Sequence, residues 1–494
     1  MPGSLMARTD SILDVDKYVP EPGLLSHAAL DVLDPPAPEA LLHVQIDRLI
    51  EAIDAALCLQ VNAILHHSRF QKLEASWRLL HKLVMQPRYG ETSIIRVMSV
   101  SWPVLVRDIE RAADFDQSKL FNYIYSEEFD MPGGQPFGLL IGDYEVSSGI
   151  NPDTGTDDAA ALEGISSVAA AAFTPFVCGA SPALLDVKNF AELDREIDMS
   201  YLKQLEANVK WTRLRRAQDA RFIGITCPRV LVRAPYEAND INRRDGFCFK
   251  EAVNPDGSTL LWGSSAYAMA MVVLREYLVS GWFADIRGVR YLDEAGGLVD
   301  MFPALAFKTD AHGFAAQPPI EIRLAPLQEQ MLSHYGLIPL MPLPYSTDLV
   351  FNTNQSLHTP EHYGSEIANL NARIAAMLQY VLCASRFAHY LKLIMREHVG
   401  QISNVDSLRK MLNDWLGQYC IGNDDAGSEM KAKFPLRSAN VDVKELVGRP
   451  GVFSCVMQLQ PHFQLDDVKA SFQLLADMNE KSQAARGTDG NAIK

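Results

Sequence analysis

Three features of the sequence predict an α/β fold. Strand-like runs alternate with helical stretches through the middle of the chain. Long amphipathic helices lie near both ends, and a strand with alternating apolar side chains comes close to the C-terminus. At roughly 150 residues per domain, the 494 residues predict two to four domains. The content of 48% hydrophobic and 21% charged residues is that of a globular chain, which excludes disorder as its main state.

The first 38 residues hold Pro20, Pro22, Pro35, Pro36 and Pro38 and few periodic apolar positions, so they read as an arm or linker. Leu42, Ile46, Leu49, Ile53, Leu57, Val61 and Ile64 then step by three or four, an apolar stripe on one helix. Ser68 and Gln71 form a capping box that opens a second helix. Its seam is Phe70, Leu73, Trp77, Leu80 and Val84, and Pro87 and Gly90 stop it. Trp77, on this seam, reads as a core residue.

A central α/β region is expected over 90–350. Residues 93–100, 137–146 and 221–226 read as strands, and 156–173, 191–219 and 263–280 as helices. Residues 297–350 read as irregular strands and connections. A long helix is expected over 366–399, with Ile374, Leu378, Val381, Leu382, Phe387, Leu391 and Ile394 inward and Gly400 as its stop. A shorter helix covers about 405–419, and 422–433 reads as an exposed loop.

Near the end, Phe453, Cys455, Met457 and Leu459 alternate within 451–460, and 470–476 places Phe472, Leu474 and Ala476 together. These two runs read as a strand pair, with Pro461 favouring an edge or a bend. Residues 479–494 read as a disordered tail. The division is therefore an arm at 1–38, a region at 39–370 opening with the helical pair 39–86, a C-terminal domain at 371–478, and the tail.

The charge balance of 45 basic against 61 acidic residues, net −16, argues against non-specific binding to nucleic acid or anionic lipid. Seven cysteines without CxxC spacing fit reduced thiols. The uncharged stretches 164–185 and 257–274 are broken by Pro and Gly or too short to cross a bilayer as helices.

Neither phosphate-cradling glycine motif is present, nor a zinc-protease motif, nor a complete serine elbow. The acidic run Asp153–Asp158 lacks the glycine and glutamate of a calcium loop and reads as a solvated turn. Adjacent His66 and His67 diverge and suit capping or packing. Arg213, Arg215, Arg216 and Arg221 read as pairing with Asp219 and other carboxylates, or as a face for an acidic protein. No catalytic residue, cofactor or metal site is expected.

Six co-linear blocks then show a resemblance. ILHHSRFQKLEASWRLLHKLV (64–84), RFIGITCPRVLVRAPY (221–236), LWGSSAYAMA (261–270) and the SRFAHYLK helix within 372–397 are four of them. FPLRSANVDV (434–443) and GRPGVFSCVMQLQPHFQLD (448–466) with KASFQLLADM (469–478) complete the set. Together they resemble the TssC/VipB family, the large subunit of the bacterial type VI secretion contractile sheath.

The resemblance implies a structural protein with a fold related to phage tail sheaths. It implies pairing with a small subunit, TssB/VipA, and stacking as hexameric rings in a helical sheath around the Hcp tube. It further implies assembly on a baseplate, contraction that drives tube and spike outward, and disassembly by the ClpV unfoldase acting mainly on the small subunit. The expected location is the bacterial cytoplasm, in an assembly anchored at the envelope, with neither nucleic-acid binding nor membrane insertion.

On this basis 451–460 and 470–476 are expected to exchange strands between protomers. The seam Phe70–Val84, or the stripe 42–64, is expected to contact the small subunit, unless the two helices pack on each other in the core. Competing readings are an accessory sheath-like protein that does not polymerise, and an α/β enzyme without a short motif.

Overall fold

The computed structural model describes residues 39–86, 93–130, 133–194, 208–237, 247, 249–254, 256–290, 295–310, 313–344, 346–398, 405–423, 426–445 and 453–462. The chain forms two bodies, one of residues up to Ala75 with Arg233–Leu261, the other of Ser76–Val232 with Trp262 onward. The expected arm at 1–38, the run at 470–476 and the tail at 479–494 lie outside the described residues.

In the first body, helix α1 (Glu39–Leu65) runs for 27 residues. The chain then turns by 71° at His66–His67 into α2 (Ser68–Val84), whose first two turns belong to this body and the rest to the second. The corner is tied by a buried ionic cluster. Arg233 donates to Glu74 at 2.7 Å and to Glu251 at 2.6 Å, and Glu251 also receives the Tyr236 amide at 3.0 Å and faces His66 Nε2 at 3.3 Å. Burial alone would push the Glu251 pKa up, but the Arg233 and Tyr236 bonds outweigh it and hold the carboxyl below its ordinary range. The His66–His67 pair thus has a packing role, as expected.

The second body is built on a four-stranded parallel sheet of β1 (Leu140–Val146), β2 (Phe176–Ala180), β3 (Ile223–Cys227) and β4 (Ile338–Pro339), in that spatial order. Three helices on this body are α3 (Trp102–Arg111), α4 (Asp158–Ala172) and α5 (Val209–Arg216). β2 and β3 are buried along their whole length, as central parallel strands must be. The uncharged stretch 164–185 is therefore core: it supplies most of α4, all of β2 and a buried 3₁₀ turn at Pro182–Leu185. A Cβ at Gly164 would run into Ile109, so the small-residue face of α4 lets α3 approach closely. Further helices are α6 (Ala266–Ser280), α7 (Glu366–Ala375), α8 (Leu378–His398), α9 (Val405–Gly417) and α10 (Ser428–Lys433).

Three expectations need correction. Residues 93–100 are in no strand; Ile94 and Val97 stay 68% and 67% exposed, so strand propensity finds no ladder among the described residues. The segment expected to be helical at 191–219 is helical in its described parts, a 3₁₀ turn at Phe190–Asp194, α5 and a 3₁₀ turn at Gln218–Phe222, and 195–207 lie outside the described residues. The helix expected at 366–399 is two helices. Its break lies at Ala376–Met377, where the Ala376 carbonyl takes the amide and hydroxyl of Ser356, and the Leu378 amide goes to Asn354 O at 2.8 Å. Intruding chain has replaced the helical bonds there, which sequence periodicity could not reveal. The loop expected at 422–433 ends in α10, with Lys431 and Ala432 buried.

The terminal strands are described in part. β6 (Phe453–Pro461) pairs antiparallel with β5 (Leu436–Glu445), a partner the sequence pattern does not point to, while the expected second run at 470–476 lies outside the described residues. Pro461 is the last residue of β6, opposite Leu436, where its missing donor costs no interior bond. Leu436, Val441 and Val443 of β5 and half-buried Cys455, Met457 and Leu459 of β6 pack against Phe387, Leu391, Leu408, Leu412 and Leu416, forming a separate C-terminal core. Trp282 stacks on Phe387 at 4.2 Å within it.

Candidate assembly surfaces

The first candidate surface is α2. Its buried face is Ala75, Leu79 and Leu83, offset from the expected seam. On the seam, Leu73 is 52% and Trp77 63% exposed, while Phe70, Leu80 and Val84 are half-buried. Trp77 is thus not a core residue. The reading in which the two N-terminal helices bury their stripes on each other also fails, because Leu42, Ile46, Ile53, Leu57 and Ile64 of α1 are exposed as well. The 71° turn between the helices gives the geometric reason. No single described helix is long and apolar enough to cross a membrane.

The second candidate surface is the edge of β6. Asn413 on α9 donates to Val441 O at 3.0 Å and accepts from Val441 N at 2.9 Å, while Arg409 donates to Val443 O at 3.1 Å. These bonds close the outer edge of β5. Antiparallel pairing alternates the direction of backbone groups, and Val441 lies opposite Met457, so the amides and carbonyls of Cys455, Met457 and Leu459 point away from β5. Among the described residues, nothing hydrogen-bonds them. One edge of the hairpin is closed by side chains, and the other has no hydrogen-bond partner among the described residues. The side chain of Phe453 lies outside the described residues, as do Phe472 and Leu474.

Chemistry elsewhere resolves into structure. Asp158 is fully buried, not part of a solvated turn as expected. It accepts from Trp102 Nε1 at 2.7 Å, Ser147 N at 2.8 Å, Asn151 Nδ2 at 2.8 Å and Thr156 Oγ1 at 2.8 Å. Asp157 caps α4 and pairs with Lys210 at 2.5 Å, a bond that, with smaller help from backbone amides, holds its carboxyl below the usual range against some burial. This connection was missed because an acidic run looks the same whether it faces water or closes on a tryptophan.

Three of the four arginines of the cluster bond within the chain, though not with Asp219. Arg213 meets Glu163 at 2.5 Å, Arg215 donates to His334 O at 2.8 Å, and Arg221 bonds Gln218. Among the described residues no group of three or more His, Cys, Asp or Glu could hold a metal ion. Burial pushes the thiols of Cys227 and Cys383 up to about 12, which leaves them protonated and unreactive.

Comparison with known proteins decides the family. Residues 47–358 match the model described as EvpB/VC_A0108, tail sheath N-terminal domain, and residues 367–478 match its tail sheath gpW/gp25-like domain. The chain belongs to the VipB tail-sheath family. A relative in Pseudomonas aeruginosa PAO1, the type VI secretion system sheath protein TssC1, is 36% identical over 443 residues, covering 89% of this chain and 87% of its own. A chain in the cryo-EM structure of the anti-feeding prophage baseplate overlaps 76% of this chain and 80% of its own. It is 8% identical, at a TM-score of 0.35, too low to bear on the fold. As a VipB sheath protein the chain is structural and not an enzyme.

Proposed function

We propose that the chain is the large subunit of a type VI contractile sheath. It pairs with a small sheath subunit of the TssB/VipA type, and the heterodimers polymerise around an Hcp-type tube on a baseplate. Contraction drives the tube and spike outward, and a ClpV-type unfoldase recycles the sheath mainly through the small subunit. The assembly works from the bacterial cytoplasm, anchored at the envelope. Residues 39–370 form its N-terminal and central region and 371–478 its C-terminal domain.

The observation that carries this reading is that, among the described residues, the outer edge of β6 has no hydrogen-bond partner while that of β5 is closed. An unpaired edge is an aggregation hazard that folds usually blunt, and among the described residues only the β5 side is blunted. A strand from a neighbouring protomer would satisfy Cys455, Met457 and Leu459, and 470–476, with Phe472 and Leu474, is this protomer's own segment for the same exchange. Such a mesh keeps rings connected while larger faces repack. At roughly 25 cal/mol per Å², about 200 Å² more apolar burial per subunit in the compact state supplies several kcal/mol for contraction.

The α2 residues Phe70, Leu73, Trp77, Leu80 and Val84, or the α1 stripe at 42–64, form the small-subunit contact. The test is electron microscopy of the chain alone and co-expressed with its small subunit. Hollow tubes only with the partner support the proposal. Soluble heterodimers without tubes favour an accessory role, and a lone monomer that ignores the partner refutes it.

A further inference from the structure

The C-terminal end of α4 carries backbone strain. Phe173 caps the helix at φ 51° and ψ 40°, with its amide donating to the Ala169 and Ala170 carbonyls. Glycine is the usual residue in that left-handed conformation, which a bulky side chain adopts only against steric resistance. Here the side chain stands beside Lys392 of α8, whose ammonium lies 4.6 Å from the centre of the Phe173 ring. Two further rings face the same ammonium, Phe129 at 4.9 Å and Tyr125 at 5.2 Å. One turn earlier on α8, buried His389 donates from Nε2 to Ala172 O at 2.9 Å, and its ring centre lies 5.3 Å from that of Phe129.

Tyr125 and Phe129 come from a second unusual segment. Asn122–Asp130 is a π-helix over nine residues, a form otherwise confined mostly to single turns. Phe121, Tyr125 and Phe129 stack along it, with ring centres 4.9 and 5.0 Å apart. An α-helix carries each successive side chain further round its axis than a π-helix does. Rewinding would therefore take Tyr125 and Phe129 away from Lys392, and the cage requires the π register.

We infer that Asn122–Asp130 is a two-state segment, kept π-helical by Lys392 and His389 of α8 and rewinding as an α-helix when they withdraw. A strained residue and a rare helix form meet at one caged cation, so the held state depends on contacts with another element. Three aromatic faces attract the ammonium electrostatically. The carbonyl end of α4, negative by its dipole, adds to the attraction, and His389 ties down the same end. Because α4 also packs on β2 and β3, the latch joins α8 to the central sheet. Under the domain division proposed above, a shift of the C-terminal domain reaches that sheet here. This last consequence rests on the division, and the two-state segment does not.

Amide hydrogen exchange read by mass spectrometry decides the matter. It is measured on the full-length chain co-purified with its small subunit, or on the chain alone if the two do not pair, so failure of the sheath reading leaves the measurement standing. Lys392→Met keeps the length of the side chain and removes its charge. It is expected to speed exchange across 122–130 about tenfold, with β2 and β3 at the wild-type rate. Lys392→Arg keeps the cation and should stay near wild type. Phe173→Gly separates a latch from an ordinary helix end. An ordinary end is relaxed by glycine and leaves 122–130 untouched. A latch loses one wall of its cage, so exchange over 122–130 rises although the turn itself is relaxed. Wild-type exchange over 122–130 in either Lys392→Met or Phe173→Gly overturns the inference. Acceleration spread evenly over the whole chain overturns it too, because that is lost stability and not a released segment.

Discussion

Asn413 grips both backbone groups of Val441, donating to its carbonyl at 3.0 Å and accepting from its amide at 2.9 Å. A single helical side chain thereby imitates a neighbouring strand and removes one edge of the C-terminal hairpin from competition. Asn413→Ala should expose that edge, cost about 1–3 kcal/mol through two orphaned backbone groups, and produce irregular association of the lone chain. Urea unfolding and light scattering check both effects.

The opposite edge should be where order propagates. Met457→Pro removes an amide that points away from β5, so the hairpin itself loses no ladder bond. The variant is expected to form soluble heterodimer but no tubes, and Leu474→Pro to behave alike. Sheaths of normal length from either variant, seen by electron microscopy, would refute strand exchange at these positions.

Fully buried Asp158 accepts from five donor atoms, and its loss leaves the Trp102 indole and the Ser147 amide without their acceptor. Asp158→Ala should destabilise the fold by roughly 3–5 kcal/mol. The Trp102 fluorescence environment should change with it. A loss below about 1 kcal/mol in urea unfolding would show that water replaces the carboxylate there.

Arg229 binds Glu145 with two bonds of 2.7 and 2.6 Å and lies 3.9 Å from Glu321, so two carboxylates share one guanidinium. Burial pushes the Glu321 carboxyl up to about 7, Arg229 pulls it back, and Glu145 adds repulsion. A folded-state pKa above the ordinary 4.5 means the folded protein holds a proton that the unfolded chain releases. Its contribution to stability is complete below about pH 4.5 and is lost as pH rises through 7. Glu321→Gln should therefore flatten the decline between pH 5 and 7 and exceed wild type at pH 8, by up to roughly 3 kcal/mol. Melting curves across that range measure it.

His389 works in the opposite direction. Burial pushes its imidazole down to about 4, with Ala172 O accepting at 2.9 Å. Stability from this group is present above about pH 6.5 and is lost as pH falls toward 4. His389→Gln should hold its melting temperature better than wild type between pH 6 and 4.5.

Much of this architecture was legible because local patterns and tertiary packing agree. The 156–173 and 263–280 helices and the strands within 137–146 and 221–226 have periodicities that the core uses directly. What escaped depends on contacts between distant segments. Ala376 ends a helix because Ser356 reaches it. Ile94 and Val97 have strand propensity but no ladder. Leu436–Glu445, matched within one of the six blocks, was not read as a strand, because its alternation of Ala439, Val441 and Val443 with polar residues is short and ends in charge. On α2 the apolar spacing was read correctly as a seam, but spacing does not say which of two faces meets the core: Leu79 and Leu83 took it, and Trp77 did not.

The apolar stripe along α1 also bears on how the cell makes this protein. A helix that leaves Leu42, Ile46, Ile50, Ile53 and Leu57 facing water is tolerable only briefly, because several exposed aliphatic side chains in a row invite non-specific association. Synthesis of the two sheath subunits should therefore be balanced in number and close in time. Overproducing this chain alone should send it to inclusion bodies or proteolysis, and supplying the partner in equal amount should return it to solution.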